Sequence, residues 1–150
     1  MKKDRVQRHT AEEVNERIEA EAERRVLRSV GQSEAALSRR IAELESEWDI
    51  ERWLEMNASV LAFTGIMLGL FVNKKFFAIP CIVLPFLFQH AVQGWCPPIP
   101  IFRRKGVRTR REIEVEKYAL KTVRGDFNGI DGRNGNSTTQ ARRIWQAVNA

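Results

Sequence analysis

Between Met56 and Phe102 the only charged residues are Lys74 and Lys75, so uncharged segments of 18 and 27 residues flank a two-lysine break. A helix needs about 20 mostly apolar residues to cross a bilayer core, and both segments approach or exceed that length. Hydrocarbon offers backbone amides no water, so a chain crossing it must satisfy them within helices. The predicted fold class is an all-α membrane protein built on a two-helix transmembrane hairpin, with spans at about 54–73 and 76–95.

Charge divides the rest of the chain. Residues 1–52 carry 11 basic and 13 acidic side chains, residues 53–102 carry 2 and 1, and residues 103–150 carry 12 and 5. The net charge of +6 therefore originates in the C-terminal third, directly after the second span, which favours anionic lipid phosphate over nucleic acid as the partner. Arg39, Arg40 and Arg52 precede the hairpin, and Arg103, Arg104, Lys105, Arg108, Arg110 and Arg111 follow it. These nine against two lysines in the turn predict that both termini are cytoplasmic, and the six after the hairpin are expected to face anionic lipid. Met1-Lys2-Lys3 is not followed by an apolar run, so no cleaved signal is expected. The expected organisation is a cytoplasmic charged helix (1–52), the hairpin (53–102), a basic juxtamembrane segment and helix (103–124), and a flexible tail ending in a short helix (125–150).

In the N-terminal part, Thr10 and Glu13 have capping-box spacing, and no proline occurs before Pro80. This predicts one long helix over residues 11–50. Leu27, Val30, Leu37, Ile41, Leu44 and Trp48 recur in steps of three and four, with Glu34 in the seam and Gly31 weakening it. Glu13–Arg17, Glu21–Arg25 and Arg39–Glu43 add pairs at helical spacing. Leu37, Ile41, Leu44 and Trp48 thus fit either a coiled-coil contact with another copy or partner, or packing against the chain's own neighbours.

Within the first span, Ala58, Ala62, Gly65 and Gly69 line one face and suit close helix packing, with the second span or with another molecule. Pro80 and Pro85 predict bends in the second span. Gln89, His90 and Gln93 form a polar group near its inner end, where intramembrane polarity invites a functional reading. His90 is the only histidine in the spans, too few ligands for a haem or metal from one chain, so no cofactor is expected. Trp48, Trp53 and Trp95 lie where interfacial anchors belong. Cys81 and Cys96 are fifteen residues apart in a helical segment, too far to form an internal disulfide. Gly94-Trp95-Cys96-Pro97-Pro98-Ile99-Pro100 predicts an extended exit from the second span.

After the hairpin, Thr109 and Glu112 form another capping box and predict a helix that stops before Gly125. Ile113, Leu120 and Val123 mark its apolar side. Arg110, Arg111, Lys117, Lys121 and Arg124 make it a candidate for the inner leaflet surface. Asp126, Asn128 and Asp131 depart from a calcium loop at the glycine and closing-glutamate positions. Ser137 to Val148, with Ile144, Trp145 and Val148, predicts a final short helix.

Asp49-Ile50-Glu51-Arg52-Trp53 before a glycine-containing span, with Gly94-Trp95-Cys96-Pro97 after the next, resembles the YgaP-like transmembrane domain family over roughly residues 49–100. That family comprises small bacterial inner-membrane hairpins of unknown function, so the resemblance implies the bacterial inner membrane. Some members carry a rhodanese domain, which this chain lacks, and sulfur transfer does not carry over. No catalytic constellation is legible, and the expected function is that of a non-enzymatic scaffold or auxiliary subunit, working as a homo-oligomer or with a membrane-protein partner. The alternative is a thiol-active accessory to a sulfur-transfer or redox enzyme, using Cys96. Transport through an oligomer lined by Gln89, His90 and Gln93 is a weaker third reading.

Overall fold

The computed structural model describes residues 3–128 and 137–149, and every regular element among them is helical. The chain divides into two compact units: Met1–Ala20 with Trp48–Ile113, and Glu21–Glu47 with Glu114–Ala150.

The first unit begins with α1 (Arg5–Arg8), set by a capping box in which the Asp4 carboxylate accepts the Gln7 amide at 2.8 Å and the Gln7 side chain accepts the Asp4 amide at 2.9 Å. Thr10 does not cap the next helix as its spacing suggested: its hydroxyl donates back to the Val6 carbonyl at 2.8 Å. Helix α2 (Glu12–Ser29) follows, with Glu12 and Glu13 complementing the dipole of its first turn. Its residues to Ala20 belong to this unit.

The expected continuous helix over 11–50 is two helices instead, with Ile50 opening a third. Gly31 takes a left-handed φ of +82°, and Ser33 then caps α3 (Glu34–Ser46) by accepting the Ala36 amide. A second break at Glu47 ends with Asp49 capping α4 (Ile50–Phe71), its carboxylate accepting the Arg52 amide at 2.9 Å. Favourable capping side chains outweigh the helical periodicity that runs through them. Leu27 and Val30 are consequently exposed while Leu37, Ile41 and Leu44 are buried, so the six apolar positions do not share one seam.

Helix α4 has 22 residues, about 33 Å at 1.5 Å per residue. Asn73 caps a 3₁₀ turn (Lys74–Phe77) that leads into α5 (Ala78–Gln93), completing a helical hairpin. Both arms contain helices long and apolar enough to cross a membrane. Pro80 falls in the first turn of α5, where a missing amide costs no helical bond, and only Pro85 lies inside the helix. Gly94 closes α5 with φ +78° and donates its amide to the His90 carbonyl at 2.8 Å. The expected extended exit is a helix start: Pro98 flanks α6 (Ile99–Arg104) and Pro100 stands in its first turn, where proline fits without loss.

Thr109 and Glu112 form the anticipated capping box of α7 (Arg110–Arg124): the Thr109 amide donates to the Glu112 carboxylate at 2.8 Å, and the Glu112 amide to the Thr109 hydroxyl at 3.4 Å. The helix stops before Gly125, whose φ is +93°. Helix α8 (Ser137–Asn149) matches the expected terminal helix. Asp131 and the adjoining residues of the expected tail lie outside the described residues; Asp126 is paired with Arg124.

Candidate functional site

The hairpin interface is made from small residues. Ala58, Ala62, Gly65 and Gly69 are the buried positions along the body of α4. A Cβ added at Gly65 would stand 2.6 Å from Pro80 Cδ, and one at Gly69 would stand 2.8 Å from the Phe77 ring. Only glycine admits that approach, so this stripe is occupied by the second arm of the same chain. The bulky residues turn outward instead: Phe63 is 63% exposed, Phe71 81%, Phe88 72% and Val92 61%.

At the end where α4 begins and α5 terminates, Val6, Ile50, Leu54, Cys96 and Ile99 form a small core, flanked by Phe102 and Val107. The first amide of α4, on Ile50, donates to the Arg108 carbonyl at 2.9 Å. Gly94 abuts the backbone of Arg5, where an added Cβ would meet the Arg5 carbonyl carbon at 2.9 Å. Arg5 also donates to the Ala91 carbonyl and pairs with Glu51 at 3.6 Å, so α1 is fastened across this end of the hairpin.

A buried polar network completes this collar. Arg103, fully buried, grips Glu112 with both arms of its guanidinium, Nη1 to Oε2 at 2.6 Å and Nη2 to Oε1 at 2.7 Å. The same two nitrogens reach the Val107 carbonyl at 3.1 Å and Asn15 Oδ1 at 2.9 Å. Gln7 Nε2 donates to Glu112 at 2.8 Å, and Asn15 Nδ2 to the Gln7 carbonyl at 2.9 Å. Three short segments of chain thus meet at one carboxylate, and Asn15 adds a fourth through Arg103 and Gln7. Burial resists ionisation of Glu112, but the donors from Arg103, the Thr109 amide and Gln7 overcome it and hold the carboxyl below its usual range.

This geometry corrects the expected lipid-facing set. Arg103 and Arg108 are buried, Arg111 is half-buried, and Arg104, Lys105 and Arg110 are exposed. Spacing and charge alone placed Arg103 on the surface; its partner Glu112 was legible only as a helix cap. Gln7 and Asn15 carried no sequence signal, because neither spacing nor composition pairs them with partners 105 and 88 positions away.

The second unit has a parallel feature. The Glu116 side chain is fully buried and is held by Arg25 through Nε and Nη2 at 3.1 Å and by Arg40 Nη2 at 3.0 Å. Lys121, almost fully buried, donates to the Val148 carbonyl at 2.8 Å, and Arg124 reaches Asp126 and, at 2.8 Å, Ser38 Oγ. Lys117 lies 3.9 Å from Glu45. Lys117, Lys121 and Arg124 therefore bind their own chain rather than facing lipid as a row. Leu37, Ile41 and Leu44 are buried inside this unit, which withdraws them as contacts to a partner, while Trp48 remains 36% exposed.

Aromatic side chains gather beside the collar. Trp48 and Trp53 stand 5.2 Å apart between ring centroids, the Arg52 guanidinium lies 4.5 Å over Trp48, and Trp53 is 6.0 Å from Phe102. Trp95 packs edge-on to Phe86. In the polar group of α5, Gln89 and Gln93 touch each other at 3.4 Å, whereas His90 is buried and its Nδ1 has no hydrogen-bond partner among the described residues. Cys81 is exposed; Cys96, just past α5, sits in the small core, where burial pushes its thiol up and disfavours the nucleophilic thiolate. Comparison with protein-family models, curated proteins and solved structures found no match for this chain.

Proposed function

We propose that the chain is a non-enzymatic scaffold or auxiliary subunit of a bacterial inner membrane, with α4 and α5 crossing the bilayer and both termini in the cytoplasm. The outward-facing bulky residues carry this reading. Water would charge about 25 cal/mol for each Å² of apolar surface left exposed, whereas lipid leaves Phe63, Phe71, Phe88 and Val92 at no cost. The length of both helices, the nine-to-two bias of flanking basic residues and the tryptophans beside the collar support it. The likeness of residues 49–100 to the YgaP-like hairpin points the same way. In this arrangement the collar lies at the cytoplasmic surface, where it gives the hairpin a rigid base.

The scaffolding role rests on surface outside the hairpin. Leu27 and Val30 expose 62% and 63% of their surface, and Ile144 and Trp145 expose 41% and 72%, so apolar contacts with a second copy or a membrane-protein partner belong at these positions and not at the buried Leu37, Ile41 and Leu44. Alkaline extraction of membranes and paired reporter fusions test the core of the proposal. The chain should stay in the membrane pellet, and a C-terminal reporter should be active only in the cytoplasm. Release into the alkaline supernatant, or a reporter active only outside, would overturn it.

A further inference from the structure

We infer that the cleft between α4 and α5 beside the collar holds one acyl chain of an anionic phospholipid. The inference rests on the membrane reading above and adds a specific ligand to it.

A cavity of about 210 Å³ lies there, walled by Ala58, Leu61, Val83, Phe86, Cys96 and Pro98. It exists because Ala58 is small between the larger Leu54 and Leu61 on one arm, while the chain on the other side turns away from α5 after Gly94. Asn57 is its only amide-bearing lining residue, and Asn57 Nδ2 already donates to the Trp53 carbonyl at 2.8 Å. Water holds a cavity only where it finds two to four polar partners, so this one favours hydrocarbon.

The polarity changes at one rim. Pro98 leads directly into α6, and Arg104 stands six residues further on, about 9 Å along a helix rising 1.5 Å per residue. Arg104 and Lys105 are exposed, whereas the intervening Arg103 is engaged with Glu112. The chain leaving this wall, residues 97–111, carries six basic and no acidic side chains, and Arg104 and Lys105 are its exposed cations at the end of α6. An apolar slot with Trp95 packed on its wall residue Phe86, and with its Pro97–Pro98 wall continuing into a cationic segment, matches a lipid whose tail enters the slot and whose phosphate meets the cations.

Native mass spectrometry of the purified full chain tests this after exchange with equimolar phosphatidylglycerol and phosphatidylcholine of identical acyl chains. One phosphatidylglycerol should survive activation that strips the annular lipids. Replacing Arg104 and Lys105 by Gln should lower the preference for phosphatidylglycerol by about fivefold per residue. Ala58→Phe should abolish retention of both lipids, and Leu61→Trp, which fills the slot from a half-exposed position, should do the same should Ala58→Phe misfold by circular dichroism. Equal retention of the two lipids, or unchanged retention in a folded slot-filling variant, overturns the inference. A chain that inserts into liposomes yet retains no lipid overturns it while leaving the membrane reading intact; failure to insert overturns both.

Discussion

Removing the Arg103 side chain tests the collar directly, because that side chain is fully buried and grips Glu112 with both arms. In Arg103→Leu, the Glu112 carboxylate keeps the Thr109 amide and Gln7 but loses two charge-assisted bonds at 2.6 and 2.7 Å, and Asn15 and the Val107 carbonyl lose their donors. Breaking a buried pair on one side costs about 3–5 kcal/mol. At about 4–8 °C per kcal/mol for a unit of this size, the thermal midpoint should fall by roughly 12–40 °C. Arg103→Lys should recover only part of this, because an ammonium cannot form the two-armed grip. Helicity followed on heating in mild detergent reads the effect, and a double-mutant cycle with Glu112→Leu isolates the pair. The two single losses should exceed the double loss by at least about 2 kcal/mol, since each single variant strands a buried group.

The pH dependence of that experiment has a definite sign. Glu112 has a folded value below its ordinary 4.5, so the pair's contribution is complete above that pH and is lost as pH falls through the folded value. Without Arg103, burial dominates and raises the Glu112 value, so protonation should favour the folded variant and its deficit should narrow as the solution is acidified. An Arg103→Leu chain within 1 kcal/mol of the parent, or strictly additive losses, would refute the account of the collar.

Two further outcomes follow from the same geometry. Gly65→Val should destabilise the hairpin by about 1–3 kcal/mol, because its Cβ would press on Pro80 and Ile79, whereas Val60→Ala on the exposed face should change thermal stability by under about 0.5 kcal/mol; equal effects would remove the close helix contact. Cys96 should alkylate slowly at neutral pH in the folded chain and rapidly after denaturation, since burial raises its thiol, and fast labelling of the folded chain would restore the thiol-accessory alternative.

The hairpin was legible from residue order because its cause is local: long uncharged runs, a stripe of small residues at helical spacing, and a glycine where the second helix ends. The same holds for the Thr109–Glu112 cap and for the stop before Gly125. The long N-terminal helix failed at Ser33 and Asp49 because periodicity describes a face that several shorter helices can present equally well, and capping side chains decide where each one starts. Whether a residue meets lipid, water or its own chain depends on what distant segments bring to it. Arg103 and Arg104 are indistinguishable neighbours in the sequence, yet one turns inward to Glu112 and Asn15 and the other remains exposed. Leu37, Ile41 and Leu44 showed an apolar stripe without naming its occupant, and the apolar cleft beside Ala58 arises only when two arms that share no local pattern are laid together. Sequence alone determines the apolar, small and charged segments through chain-local chemistry; tertiary structure decides which of those groups are used up internally, because that depends on contacts across tens of residues.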